Sequence, residues 1–217
     1  MIIAEIGQNH CGDMELAKTL VSLAKQNGAD LAKFQLYDHS ELYKDHPEIP
    51  NVELTFEQAK MLFDYGKKIN MEVFFSVFDV ERVKWCEKIG VEKYKLAYSQ
   101  KKNTKLRNAI EATGKPIVAS TNDCNDVLFF SVCLYCVPKY PALITEYILS
   151  DGTYFDGVSD HTVGLDLAKI VLARDPDVII EKHFALDHYT GVDAPWSMTP
   201  DELKELKEWE TVCKQVL

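Results

Sequence analysis

The chain has 217 residues, 47% of them hydrophobic, and a formal net charge of -10. That length and apolar content suffice for one sizeable core, so a single barrel-sized domain over 1–217 is expected. The acidic balance excludes the basic face of a nucleic-acid binder. No apolar run approaches a bilayer span, and the N-terminus enters strand-like IIAEIG with no charged leader, so a cytoplasmic protein that contacts no membrane is expected.

In chain order, IIAEIG (2–7) reads as a first strand, followed by a helix that Asp13 caps and Gly28 ends. LAKFQLY (31–37) is the second strand. Thr55 with Glu57 and Gln58 forms a capping box ahead of a stripe of Met61, Leu62, Tyr65 and Ile69. EVFFSVF (72–78), KYKLAYS (93–99) and PIVAST (116–121) supply three more strands. SVCLYCV (131–137) is the sixth and holds a CxxC, Cys133 and Cys136. Residues three apart on a strand point to opposite faces, and no second CxxC completes a zinc site, so these read as packed thiols. Cys11, Cys86, Cys124 and Cys213 are scattered, which fits free thiols in a reducing compartment. FDGVSDH (155–161) and VIIEKHF (178–184) complete the strands. Thr199, Pro200, Asp201 and Glu202 then open a last helix with a stripe of Leu203, Leu206, Trp209 and Val212.

Strands alternating with helices predict a compact α/β fold, the (β/α)8 TIM barrel. The span between Thr121 and Cys133 leaves the fifth helix short or missing, and the sixth, near 143–149, is also short. The rival, a doubly wound open sheet, usually carries GxGxxG after its first strand; EIGQNHCGD has none.

Polar residues gather at the strand ends, which open on one face of such a barrel. Lys33 with Gln35, Lys93 with Lys95, Ser159 with His161 and Glu181 with His183 are each spaced to share a side, and Glu5 adds a carboxylate. An apolar interior rejects such groups unless they are paired or bind a ligand. Lys33, Lys95, Ser120, Thr121 and Ser159 suit a phosphate or carboxylate. His161 and His183, with Glu5 through water, suit a divalent metal.

These residues, in IAEIGQNHCGD, KFQLY, YKLA, GKPIVAST, YPAL, GVSDHT, IIEKHF and GVDAPWSMTP, resemble the sialic acid synthase family, which includes the synthases for legionaminic and pseudaminic acids. The resemblance implies a barrel that condenses phosphoenolpyruvate with the open-chain aldehyde of an N-acylated hexosamine such as N-acetylmannosamine, using Mn2+ or Mg2+. It implies a metal on His161 and His183, and catalytic roles for Glu5, Lys33, Lys95 and His183. It places Ser76, Ser120, Thr121 and Ser159 toward phosphoenolpyruvate, and Gln35, Tyr140 and Asp193 toward the amino sugar. Segments 38–54 and 185–198 would close over the substrates, and a homo-oligomer is compatible with the family.

The sequence also departs from the family pattern. Val77 replaces a hydroxyl expected at the phosphate, Tyr98 and Gln100 replace a serine and an acidic residue, Tyr135 replaces a histidine, and Asn122 and Asp123 alter a turn beside the anion pocket. The family's C-terminal antifreeze-like domain, whose arginine reaches a neighbour's sugar site, has no counterpart before Leu217. The alternatives are therefore an altered or inactive barrel that binds a sugar or anion, or a metal-assisted lyase or hydrolase.

Overall fold

The computed structural model describes residues 1–123, 126, 130–149 and 155–216. The eight strands are β1 (Ile2–Gly7), β2 (Leu31–Leu36), β3 (Glu72–Val77), β4 (Tyr94–Leu96), β5 (Ile117–Thr121), β6 (Val132–Cys136), β7 (Gly157–Asp160) and β8 (Ile179–His183). All neighbours are parallel and β1 pairs with β8, so the sheet closes into a TIM barrel. The α-helices among the described residues are α1 (Met14–Gln26), α2 (His39–Leu42), α3 (Phe56–Lys68), α4 (Val80–Ile89), α5 (Thr104–Glu111), α6 (Asp166–Arg174) and α7 (Pro200–Val216). The connection expected to lack a full helix, after β5, includes residues outside the described ones. Within 143–149, where a short helix was expected, the described residues form a one-turn 3-10 helix, Ile144–Glu146.

The cap signals take the expected geometry. Asp13 accepts from the backbone N–H groups of Glu15 and Leu16, and Gly28 follows α1 at φ +96°, a left-handed conformation that glycine adopts without strain. Thr55 and Gln58 exchange both capping-box hydrogen bonds. Thr55→Ala removes one of them and is expected to cost about 1 kcal/mol, read as a lower urea midpoint at unchanged slope.

Two helix stripes differ from their expected residues. On α3 the buried face is Ala59, Leu62, Phe63 and Gly66, and Met61 is exposed. On α7 it is Leu203, Leu206, Glu210 and Cys213, with Trp209 and Val212 turned outward. A spacing of three repeated along a helix drifts away from its 3.6-residue turn, so 209 and 212 rotate out while 210 and 213 stay in. β4 is also shorter than expected. Lys93 lies before it and pairs with Glu72 at 2.8 Å instead of entering the barrel.

Candidate active site

Parallel register decides which polar side chains meet. Glu5 pairs with Lys33 on one side and His183 on the other, Gln35 pairs with Ser76, Ser76 with Lys95, and Ser159 with Glu181. Residues opposite each other in a sheet share a face, so these groups converge. They line one cavity of about 450 Å3, together with Ser120, Tyr140, His161 and Asp193. Leu42 at the end of α2, with Tyr43, Ile49, Val192 and Trp196, forms its upper walls, which places segments 38–54 and 185–198 at the mouth.

The floor is a buried ionic network. Lys33 Nζ lies 2.6 Å from Glu5 Oε2 and 3.7 Å from Glu181 Oε2, and donates to Ser76 Oγ at 2.8 Å. Lys95 Nζ lies 3.4 Å from Glu181 Oε1 and donates to Ser120 Oγ at 2.5 Å. Ser159 Oγ donates to Glu181 Oε1 at 3.0 Å, and Gln35 Nε2 to Glu5 Oε1 at 2.9 Å. Burial pushes the Glu181 carboxyl up, but the two lysines override it and hold it below the usual range. Burial, aided by the Glu181 charge, outweighs Lys33 at Glu5 and leaves that carboxyl raised. Burial likewise pulls Lys95 down against the attraction of Glu181. Two cations facing shared carboxylates and three hydroxyls form a cradle that an incoming phosphate or carboxylate can enter by displacing internal partners.

Above the floor stand the two imidazoles, with ring centroids 5.9 Å apart. The main-chain carbonyl of Val137 lies 2.9 Å from His161 Nδ1; a proton there leaves Nε2 with a lone pair. His183 Nδ1 lies 3.4 Å from Asp193 Oδ2, and neither atom has another partner. Burial drives both histidines below their ordinary range, His161 to about 4, so they are neutral and able to ligate. Burial and the Glu5 charge raise Asp193 to about 7. No group of three or more metal-ligating side chains is assembled among the described residues. Two imidazoles beside buried carboxylates fit an ion that keeps water or substrate in its other positions, as Mg2+ and Mn2+ do.

Thr121 does not join the site. It alternates with Ser120, so its side chain leaves the barrel interior and its hydroxyl donates to Asp126. The same alternation disposes of two departures from the family pattern. Val77 sits in the hydrophobic core behind Ser76, so no methyl group replaces a hydroxyl in the cavity. Tyr135 packs on Tyr147 and Phe155, outside the cavity. Gln100 accepts from Asn103 Nδ2, and Asp123 N donates back to Thr121. Tyr98 does reach the rim, where its hydroxyl donates to Asn122 Oδ1 at 3.0 Å.

The CxxC also splits as strand geometry requires. Both thiols are free and buried, and Cys136 lines the cavity with Sγ 3.9 Å from His161 Nδ1. Cys124 lies outside the described residues. Sequence reasoning missed Gln8, Tyr43 and Trp196, which reach the cavity from loops. The fixing contact for Trp196 is remote. Asn9 Nδ2 donates to Phe184 O at 3.0 Å and Ser197 Oγ at 2.9 Å, and Asn9 Oδ1 accepts from Asp193 N at 2.9 Å. Gly191, at φ +126°, lies so close to Asn9 that a Cβ there would collide with its side chain.

The NeuB family pattern matches residues 20–127 and 130–216. An uncharacterized protein of Methanocaldococcus jannaschii is 32% identical over 234 residues, covering 94% of this chain and 68% of the relative. The N,N'-diacetyllegionaminic acid synthase of Campylobacter jejuni is 30% identical over 251 residues, covering 95% of this chain and 74% of that enzyme. The crystal structure of N-acetylneuraminic acid (sialic acid) synthetase from Leptospira borgpetersenii, in complex with citrate, superposes with a TM-score of 0.91 at 28% identity, over 99% of this chain and 84% of that one. No helix of the described residues is long and apolar enough to cross a membrane. A family match across both halves of one closed barrel settles the kinship: the chain belongs to the NeuB family.

Proposed function

We propose that the protein condenses phosphoenolpyruvate with the open-chain aldehyde of an N-acylated hexosamine, giving a nonulosonic 2-keto acid and phosphate. One observation carries this reading: an anion cradle of Lys33, Lys95, Ser76, Ser120 and Ser159 shares a single cavity with His161 and His183. The family membership and the synthases among its relatives support it.

Phosphoenolpyruvate brings a phosphate and a carboxylate, and the cradle offers two ammonium groups with hydroxyls beside them. Binding there replaces the lysines' contacts with Glu5 and Glu181 by contacts with the ligand and fixes C3 toward the aldehyde. His161 and His183 would hold Mn2+ or Mg2+, which supplies Lewis-acid polarisation of the aldehyde carbonyl. The C3 electron pair forms the new carbon–carbon bond, water adds at C2, and the resulting phosphohemiketal expels phosphate to leave the ketone. Of the two protons of the added water, one goes to the aldehyde oxygen and the other leaves with the departing phosphate. Glu5, a buried carboxyl of raised pKa held by Gln35 and Lys33, is placed to handle such a proton. Gln35, Asp193 and Tyr140 face the sugar side, and the two mouth segments exclude water from the enol.

The test is phosphate release by purified protein supplied with phosphoenolpyruvate, a panel of N-acylated hexosamines and Mn2+ or Mg2+. Release is expected only with an aldehyde present, to fall to background after chelation, and to return when metal is restored. Release from no member of the panel, with metal saturating, would falsify the reading.

A further inference from the structure

We infer that Trp196, with Tyr140, sets acceptor specificity by forming an aromatic wall against the acyl group of the amino sugar. The inference deepens the condensation proposed above and rests on it for the identity of the acceptor.

Trp196 ends the 3-10 turn Ala194–Trp196 that follows β8, and its ring lines the cavity. Its centroid lies 5.9 Å from Tyr140 and 6.5 Å from His183, while Tyr140 lies over His161 at 4.1 Å. The two rings therefore border the imidazole pair on the loop side. In a 2-acylamino hexose the acylamino group sits on the carbon next to the aldehyde carbon. Wherever the aldehyde meets the histidines, the acyl group must touch what borders them. The floor offers charged and hydroxyl groups, which an acyl methyl would deprive of partners. The aromatic wall offers apolar surface and ring faces.

The wall is held from outside: Asn9 anchors the loop through Phe184, Asp193 and Ser197, so truncating Trp196 leaves those anchors in place.

The experiment compares wild type, Trp196→Ala and Trp196→Phe with two acceptors, N-acetylmannosamine and mannose, which carries a hydroxyl in place of the acylamino group. With phosphoenolpyruvate and Mn2+ saturating, the ratio of kcat/KM for the acylated over the hydroxyl acceptor should fall about tenfold in Trp196→Ala and recover in Trp196→Phe. An unchanged ratio, including an equal loss for both acceptors, overturns the inference while leaving the condensation intact. If wild type turns over neither acceptor, the condensation is decided by the full panel of N-acylated hexosamines. Calorimetric titration of the same two sugars then reads the wall directly: preference for the acylated sugar in wild type but not in Trp196→Ala supports it, and no preference, or no binding, overturns it.

Discussion

Lys33→Met is expected to lower phosphate release on the order of a hundredfold or more, because it removes a preorganised cation from the anion cradle. The side chain is fully enclosed and sits at the centre of the floor, bonded to Ser76 and paired with both Glu5 and Glu181. Methionine matches its length and not its charge. Glu181 then keeps Lys95, while Glu5 loses its paired lysine and keeps the hydrogen bond from Gln35, so the fold also weakens. The two effects separate experimentally. Thermal unfolding fixes the folded fraction, calorimetry reads phosphoenolpyruvate affinity, and turnover is then compared per folded molecule. Lys33→Met with wild-type turnover per folded molecule would remove the cradle from the proposed chemistry. A variant that loses affinity and turnover together places Lys33 against the enol phosphate in both ground and transition states.

The strands were legible because apolar runs of strand length recur along the chain, several ending in a polar pair two residues apart, as in Lys33 with Gln35 and Ser159 with His161, and that period survives without tertiary information. The inward set followed from the same alternation. It failed where counting along the sequence stood in for strand boundaries. Lys93 was assigned by spacing from Lys95, yet β4 begins at Tyr94 and its neighbour finds Glu72 at the barrel's other end. Thr121 was assigned from its place at a strand end and Val77 by likeness to a motif, although each adjoins an inward serine and must face away from it. Trp196 was not legible at all. Its position depends on Asn9 reaching Ser197 across 188 residues of sequence, and no local pattern encodes that contact. The α7 stripe failed for a smaller reason, since a three-residue count from Leu203 falls behind a 3.6-residue turn by Trp209 and further by Val212.

Lys182→Met is expected to destabilise the protein by about 3–5 kcal/mol, far more than loss of a surface pair. Lys182 and Asp160 face each other across β7 and β8 with Nζ 3.1 Å from Oδ2, and both side chains are fully buried. Lys182 also donates to Thr162 O at 2.6 Å, while Asp160 Oδ1 accepts from the Thr162 backbone N–H and hydroxyl. Oδ2 has no hydrogen-bond partner besides this ion pair, so removing the ammonium strands a charge in the interior. For a domain of this size the loss corresponds to a fall in melting temperature of about 10 °C. Lys182→Met combined with Asp160→Leu should recover much of it, because removing both charges leaves neither one unpaired. A single variant losing less than about 1 kcal/mol would show that water or relaxation solvates Asp160 after all. The pair also bears on the site, for Asp160 directly precedes His161 and Lys182 directly precedes His183. Alternation that turns the ion pair outward turns both imidazoles inward, so the outward lock and the inward site share the same register. A strand slip by one residue would exchange them, and such a slip must break the buried pair.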